Sequence, residues 1–311
     1  MKLKTLLAAA AASVLVLAGC TSTAATPGDT SSGGTKLNVV VAFYPLAYVT
    51  QTLAGDAATV TNLTTPGTEP HELTLTPRQI ATLGEADLVV YQKGFQSTVD
   101  AAVAQATPKK VIDVASVVKL QPLDDDHHAD DGHDHSAGSL DPHFWLDPAN
   151  MVTLGDAVTK ELAALAPARA SVFEANKTKL TTDLNTITQQ YTQGLASCKR
   201  SDIIVSHEAF GYLARAFKLH QIGISGISPD AEPSPARIAE VHALAKKYGV
   251  TTIFFETLSS PAVAKSIAGD LGLKTDVLDP IEGITAESRG TNYVEVMASN
   301  LAALKKANDC T

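Results

Sequence analysis

Aliphatic, β-branched runs alternate along this chain with stretches whose apolar positions recur every three or four residues. "LNVVVAF" (37–43) predicts a buried strand, and "PLAYVTQTLAG" (45–55) a helix ending at glycine. "ATVTNLT" (58–64), "DLVVYQ" (87–92) and "KKVIDV" (109–114) predict further strands. Between them lie helices at 97–105 and from Thr76 and Pro77, as cap and first-turn residues, to about Leu83. After residue 200 the alternation resumes. Strands are expected at 202–207, 219–225, 251–256 and 274–279, with helices at 236–249, 261–272 and 293–307. Strands alternating with helices imply parallel sheets covered by helices on both faces. The halves share an echo, "TPRQIA" at 76 and "SPARIA" at 234, which suggests related lobes.

Between the halves the period changes. Phe173, Leu180, Leu184, Ile187, Tyr191 and Leu195 form one helical stripe in a segment, 168–196, whose only breaker is Gly194. A helix of that length spans roughly 40 Å at ~1.5 Å per residue. It reads as a rigid connector. The fold class expected is therefore α/β, with two open parallel-sheet lobes joined by one long rigid helix and a cleft between them. The divisions are 36–166 for the first lobe, 167–198 for the interlobe helix and 199–311 for the second lobe.

The first residues set an address. Lys2 and Lys4 precede an apolar run at 5–18, too short for a membrane span of ~20 residues. Leu17-Ala18-Gly19-Cys20 then looks like a bacterial lipobox. Residues 1–19 are thus expected to be a signal peptide, Cys20 the lipidated residue, and 20–35 a flexible Ser/Thr/Gly tether. That places the protein outside the cytoplasmic membrane, held to it by lipid. In an oxidising compartment the two other cysteines, Cys198 and Cys310, are expected to pair.

A net charge of −9 speaks against nucleic acid, which calls for clustered Lys and Arg, and favours a cationic ligand. Much of that charge lies in "DDDHHADDGHDHSAG" (124–138), with six aspartates and four histidines in fifteen positions. Such a run cannot bury itself, and its composition points to an exposed loop that contacts metal through His127, His128, His133 and His135.

Ligands of open α/β sheets sit at the carboxyl ends of the strands. His71 follows the strand at 58–64, His143 the strand at 109–114, and His207 ends the strand at 202–207. Asp279 and Glu282 follow the strand at 274–279. His71 and His143 each come directly after an acid–Pro pair, so proline fixes the backbone before the imidazole. Three imidazoles and one carboxylate suit tetrahedral Zn²⁺. His220, in a strand, and His242, on a helix, read as structural.

With these residues in view, the chain resembles the solute-binding lipoprotein of a bacterial zinc-uptake ABC transporter, of the metal-binding class with a rigid interlobe helix. The matching stretches are "EPHEL", the His/Asp loop before "DPHFWLDP", "SHEAFGYLA", "ISPDAEPSPARIAEV", "FFETLSSP" and "LDPIEGIT". The resemblance implies His71, His143 and His207 as metal ligands and, through "PIEG", Glu282 as the fourth, with Asp279 or water as substitutes. It implies zinc as cargo, a membrane permease and its ATPase as partners, a monomer, and no enzymatic activity. Manganese-binding relatives, some proposed as adhesins, exchange one histidine for a second carboxylate; His207 here favours zinc. A zinc hydrolase is the rival reading, against which stand a fourth protein ligand and the absence of an HExxH motif. The 124–138 loop is then an accessory collector of zinc, and the interlobe helix limits hinge opening.

Overall fold

The run Leu37-Asn38-Val39-Val40-Val41 forms an inner strand of the first sheet, its last three residues buried. The computed structural model describes residues 36–123 and 140–311. The expected signal peptide, Cys20, the 20–35 tether and the 124–138 loop with His127, His128, His133 and His135 lie outside the described residues. Residues Lys36–Thr311 form one compact unit.

The first sheet contains β1 (Leu37–Val41), β2 (Ala58–Asn62), β3 (Leu88–Tyr91) and β4 (Val111–Asp113), all parallel in the order β2-β1-β3-β4. The helices α1 (Tyr44–Ala54), α2 (Pro77–Glu85) and α3 (Ser97–Ala106) link its strands. The second sheet repeats this plan with β5 (Asp202–Val205), β6 (His220–Gly223), β7 (Thr252–Phe255) and β8 (Lys274–Val277), in the order β6-β5-β7-β8. Its links are α6 (Gly211–Phe217), α7 (Pro235–Tyr248) and α8 (Ala262–Leu271), and α9 (Tyr293–Asn308) follows. The sequence echo falls on equivalent caps. Thr76 accepts a hydrogen bond from Gln79 N–H at the start of α2, and Ser234 from Arg237 N–H at the start of α7.

Two helices separate the sheets. α5 (Ala170–Gly194) carries the expected stripe, with Phe173, Leu180, Leu184, Ile187 and Tyr191 buried. α4 (Pro148–Leu165) was not anticipated, nor was the short α6. Asp147 caps α4 through Ala149 N–H, Pro148 opens it, and Met151, Leu154, Val158 and Leu162 bury one face. That face is why α5 is more than a rod between lobes: it packs against α4 and α1 and also against α9. Leu180 packs close over Gly155, where an added Cβ would lie 3.3 Å from Leu180 Cδ2. Among the described residues no helix is long and apolar enough to cross a membrane.

The strand period of two divides the core. Ile203 and Val205 of β5 face a large core that runs from the first sheet through α1, α4 and α5 into Tyr293, Met297 and Leu304 of α9. Ile204 faces a smaller core with Ile222, Val241, Ile253 and Ile267. One apolar body therefore spans both sheets, and three buried phenols add polar ties. Tyr191 OH donates to Met297 O (2.8 Å), Tyr293 OH to Trp145 O (2.6 Å) and Tyr212 OH to Asp141 O (3.1 Å).

Cys198, just past α5, and Cys310, just past α9, are joined by a disulfide that closes a 112-residue separation. Replacing both cysteines by serine should lower the unfolding free energy by about 2–4 kcal/mol, read in denaturant titrations. Thiol labelling of the denatured, unreduced protein, mapped to peptides, should find neither residue reactive; labelled Cys198 and Cys310 would refute the bridge.

Candidate metal centre

An acid–Pro pair shapes three of the four approaches to the cleft. At His143, Asp141 Oδ1 accepts the His143 backbone N–H (2.9 Å) and lies 2.8 Å from ring Nδ1. At His71, Glu69 Oε1 accepts the backbone N–H of His71 (3.0 Å). At the third approach, Asp279 Oδ1 accepts the N–H of Ile281 (2.8 Å), one residue before Glu282. Proline in the middle fixes φ, and the acid ties its carboxylate to the N–H two residues on.

Each imidazole has its own support. Gln96, buried between α3 and the 63–76 segment, donates to Pro70 O (3.0 Å) and Thr64 Oγ1 (3.1 Å), and the His71 ring meets Phe95 edge-on at 4.7 Å. Asp141 is held by Tyr212 OH, and Gly211 leaves it room: a Cβ at Gly211 would come within 2.6 Å of Asp141 Oδ2. His207 follows β5, and its Nδ1 lies 2.9 Å from Glu256 Oε1, which also accepts from Ser206 Oγ (2.9 Å) and Ser259 Oγ (2.8 Å). With a carboxylate on Nδ1, each of His143 and His207 directs its Nδ1–H outward and turns Nε2 inward, where a cation would find its lone pair once the proton there has left.

The inward nitrogens meet at Glu282. Its Oε1 lies 3.3 Å from His71 Nε2, 3.2 Å from His143 Nε2 and 3.5 Å from His207 Nε2, and the His71 and His143 Nε2 atoms are 3.3 Å apart. One ligand atom from each of the four residues lies within 4.8 Å of every other. Tetrahedral zinc with bonds of ~2.0–2.1 Å separates its ligands by about 3.3 Å, so these spacings suit that ion. Glu282 Oε2 and His207 Nε2, both buried, have no hydrogen-bond partner among the described residues.

Asp279, the alternative to Glu282, stands outside this group. Its oxygens accept from Ile281 N–H, Thr257 Oγ1 (3.0 Å) and Ser288 Oγ (3.1 Å), so it builds the turn that carries Glu282. His220 lies 2.8 Å from Asp202, and His242 sits on α7; neither belongs to the group. The sequence reading missed Asp141 and Glu256 as orienting groups. The acid before Pro142 was a visible signal for the first, whereas Glu256 meets His207 only through the pairing of β5 with β7.

Burial and mutual charge set the protonation of the group. Burial opposes charge on His207, yet the Glu256 and Glu282 carboxylates outweigh it and hold its pKa well above the ordinary imidazole value. His143 is raised in the same way, against burial, by Asp141 and Glu282. Burial lowers His71. Burial alone would raise Glu282, but the three imidazoles beside it keep it well below the usual carboxylate range. Glu69 is pushed up to about 9 by burial and then by the repulsion of Glu282.

Residues 39–307 match the family described as zinc-uptake complex component A, periplasmic (ZnuA). The chain is 37% identical over 284 residues to the zinc-binding lipoprotein AdcA of Streptococcus pneumoniae, covering 88% of this chain and 56% of that protein. It thus spans about half the length of the streptococcal relatives it matches. It is 32% identical over 302 residues to the high-affinity zinc uptake system protein ZnuA of Bacillus subtilis, covering 95% of this chain and 94% of that one. The crystal structure of the Zn(II)-bound ZnuA-like domain of Streptococcus pneumoniae AdcA superposes with a TM-score of 0.74 at 36% identity, over 88% of this chain and all of that one.

A pH dependence follows for the protein stripped of metal. His207, His143 and Glu69 have folded pKa values raised above their unfolded ones, so each makes folding less favourable as pH climbs through that interval, while His71, lowered by burial, acts the other way only up to its unfolded value. The melting temperature of chelator-treated protein should fall from about pH 5 towards pH 9, starting near the unfolded carboxyl and imidazole values of about 4.3 and 6.5. Glu69→Gln removes one of these three titrations and should raise the melting temperature at pH 8 more than at pH 5. An equal shift at both pH values would contradict this origin.

Proposed function

The chain belongs to the zinc-uptake complex component A family, and from that premise we propose that it is an extracytoplasmic zinc receptor that delivers Zn²⁺ to an ABC-type uptake permease. The observation that carries this reading is the convergence of four ligand atoms, from His71, His143, His207 and Glu282, within 4.8 Å of one another. Three imidazoles and a carboxylate form a borderline-soft, four-coordinate set suited to zinc. The Nδ1 carboxylates raise the basicity of two imidazoles and fix their rings, which favours tight capture.

In this reading the metal is cargo. A fourth protein ligand fills the coordination sphere, leaving no open position at which water would be activated for hydrolysis. Zinc meets ligands carried after strands of both sheets, so its binding energy also ties the two lobes together. The lobes are 36–166 and 199–311, with 167–198 as the spine between them. Because the spine packs on both, wide hinge opening is opposed, and release proceeds by small shifts of the loops that carry the ligands. Export, lipid attachment at Cys20 and docking of a monomer on a permease driven by an ATPase complete the proposal.

His71→Ala, His143→Ala and His207→Ala should each weaken zinc binding strongly, while Glu282→Ala should cost less, because water can take the vacated position. Chelator competition measures this, and wild-type affinity in His207→Ala would sink the assignment.

The His/Asp loop gives a separate test. Metal held by a polar, glycine-containing run must order it at an entropic cost, so its binding is weaker than at a preset site. Deleting 124–138 should leave one tight zinc per chain in isothermal titration and remove only weaker equivalents. Loss of the tight site with the loop would make the loop the site.

A further inference from the structure

Ile281 adopts φ +60°, a left-handed conformation that a β-branched residue enters only under strain. It directly precedes Glu282, so whatever holds this turn also aims the carboxylate. Three constraints act. Asp279 Oδ1 accepts the Ile281 N–H (2.8 Å), Asn300 binds both the N–H (2.9 Å) and the carbonyl (2.7 Å) of Asp279, and the Ile281 side chain is fully buried. These come from the second lobe. A fourth crosses from the first: Trp145 Nε1–H donates to the Pro280 carbonyl at 2.7 Å.

The placement of that bond is specific. Trp145 lies two residues after His143, and Pro280 two residues before Glu282. The indole is fully buried, 5.3 Å from the His143 ring and 5.1 Å from Phe43, and its own carbonyl accepts Tyr293 OH (2.6 Å). We infer that Trp145 is a positioning residue for the metal group, its indole N–H clamping the strained 279–282 turn so that Glu282 is presented to the three imidazoles. The inference rests on the zinc reading of the site. Without the N–H, the Pro280 carbonyl is buried unpaired and the strained turn loses its tie to the segment that carries His143. Glu282 Oε1 then leaves the point it shares with the three Nε2 atoms.

A double-mutant cycle on the purified full chain tests this, with zinc affinity read by chelator competition. Trp145→Phe keeps a ring in the core and removes the donor. It should weaken the tight site by about 10- to 100-fold, the usual effect of losing an orienting partner. In the Glu282→Ala background the same substitution should change affinity by less than about 3-fold, since the group it positions is gone. Equal losses in both backgrounds would assign Trp145 a general packing role and overturn the inference, as would no loss in the wild-type background. Tyr293→Phe deletes one hydroxyl that holds Trp145 and runs the same cycle if Trp145→Phe fails to fold; a loss that disappears with Glu282→Ala supports the clamp, and one that persists overturns it. A wild-type chain without one tight zinc would overturn the zinc reading itself, a result distinct from failure of the clamp.

Discussion

A carboxylate with no solvent exposure must be compensated where it stands, and Glu282 is such a group. Its compensation consists of three imidazoles whose Nε2 atoms lie 3.2–3.5 Å from one oxygen. These four residues are spread over 211 positions of chain. Meeting at one oxygen requires two sheets with their carboxyl ends turned to a common cleft. It also requires a core continuous enough to hold them there. Both are present: the larger core passes from β1 and α1 through α4 and α5 into α9, and buried phenols tie the halves where the ligand-bearing segments run. Removing the imidazoles would leave an uncompensated buried charge, which folds tolerate poorly.

A short piece of local chemistry recurs around this constraint. At Glu69-Pro70-His71, Asp141-Pro142-His143, Asp147-Pro148-Ala149 and Asp279-Pro280-Ile281, the acid accepts the N–H of the residue two positions on, at 2.8–3.0 Å. Proline supplies a fixed φ, and the carboxylate closes the turn. Two of these turns deliver an imidazole, one precedes Glu282, and one starts α4. The same motif thus sets three of the four approaches to the cleft. His207 is reached differently: it follows β5 directly and is oriented by Glu256 across the sheet.

What could be read from the sequence was whatever is encoded locally. Val39-Val40-Val41 and Leu88-Val89-Val90 announce buried strands, the stripe from Phe173 to Tyr191 announces a helix, and Thr76 and Ser234 announce matched caps. Placing candidate ligands after strands also located His71, His143, His207 and Glu282, which the fold brings together. Partnership was less legible. The stripe of α5 does not say that α4 lies beneath it, and Met151, Leu154, Val158 and Leu162 passed without an element assigned to them. Gly211 gives no sign in sequence that it makes room for Asp141, seventy residues away. Glu256 and Trp145 act across the sheet or across the cleft, through contacts that only the assembled fold creates.

The protonation pattern connects this architecture to the handling of a cation. Asp141, Glu256 and Glu282 place three acidic groups on or directly behind the imidazoles, in surroundings too dry to leave them unbalanced. Without metal, the balance is kept by protons, which is why His207 and His143 hold theirs more firmly than free imidazole does. On the proposed zinc reading, a dication entering the same space displaces those protons and takes over the compensation. Capture is then an exchange of one form of positive charge for another within a preset frame. The outer carboxylates serve both states, keeping the rings oriented before the cation arrives and strengthening them as donors once it has.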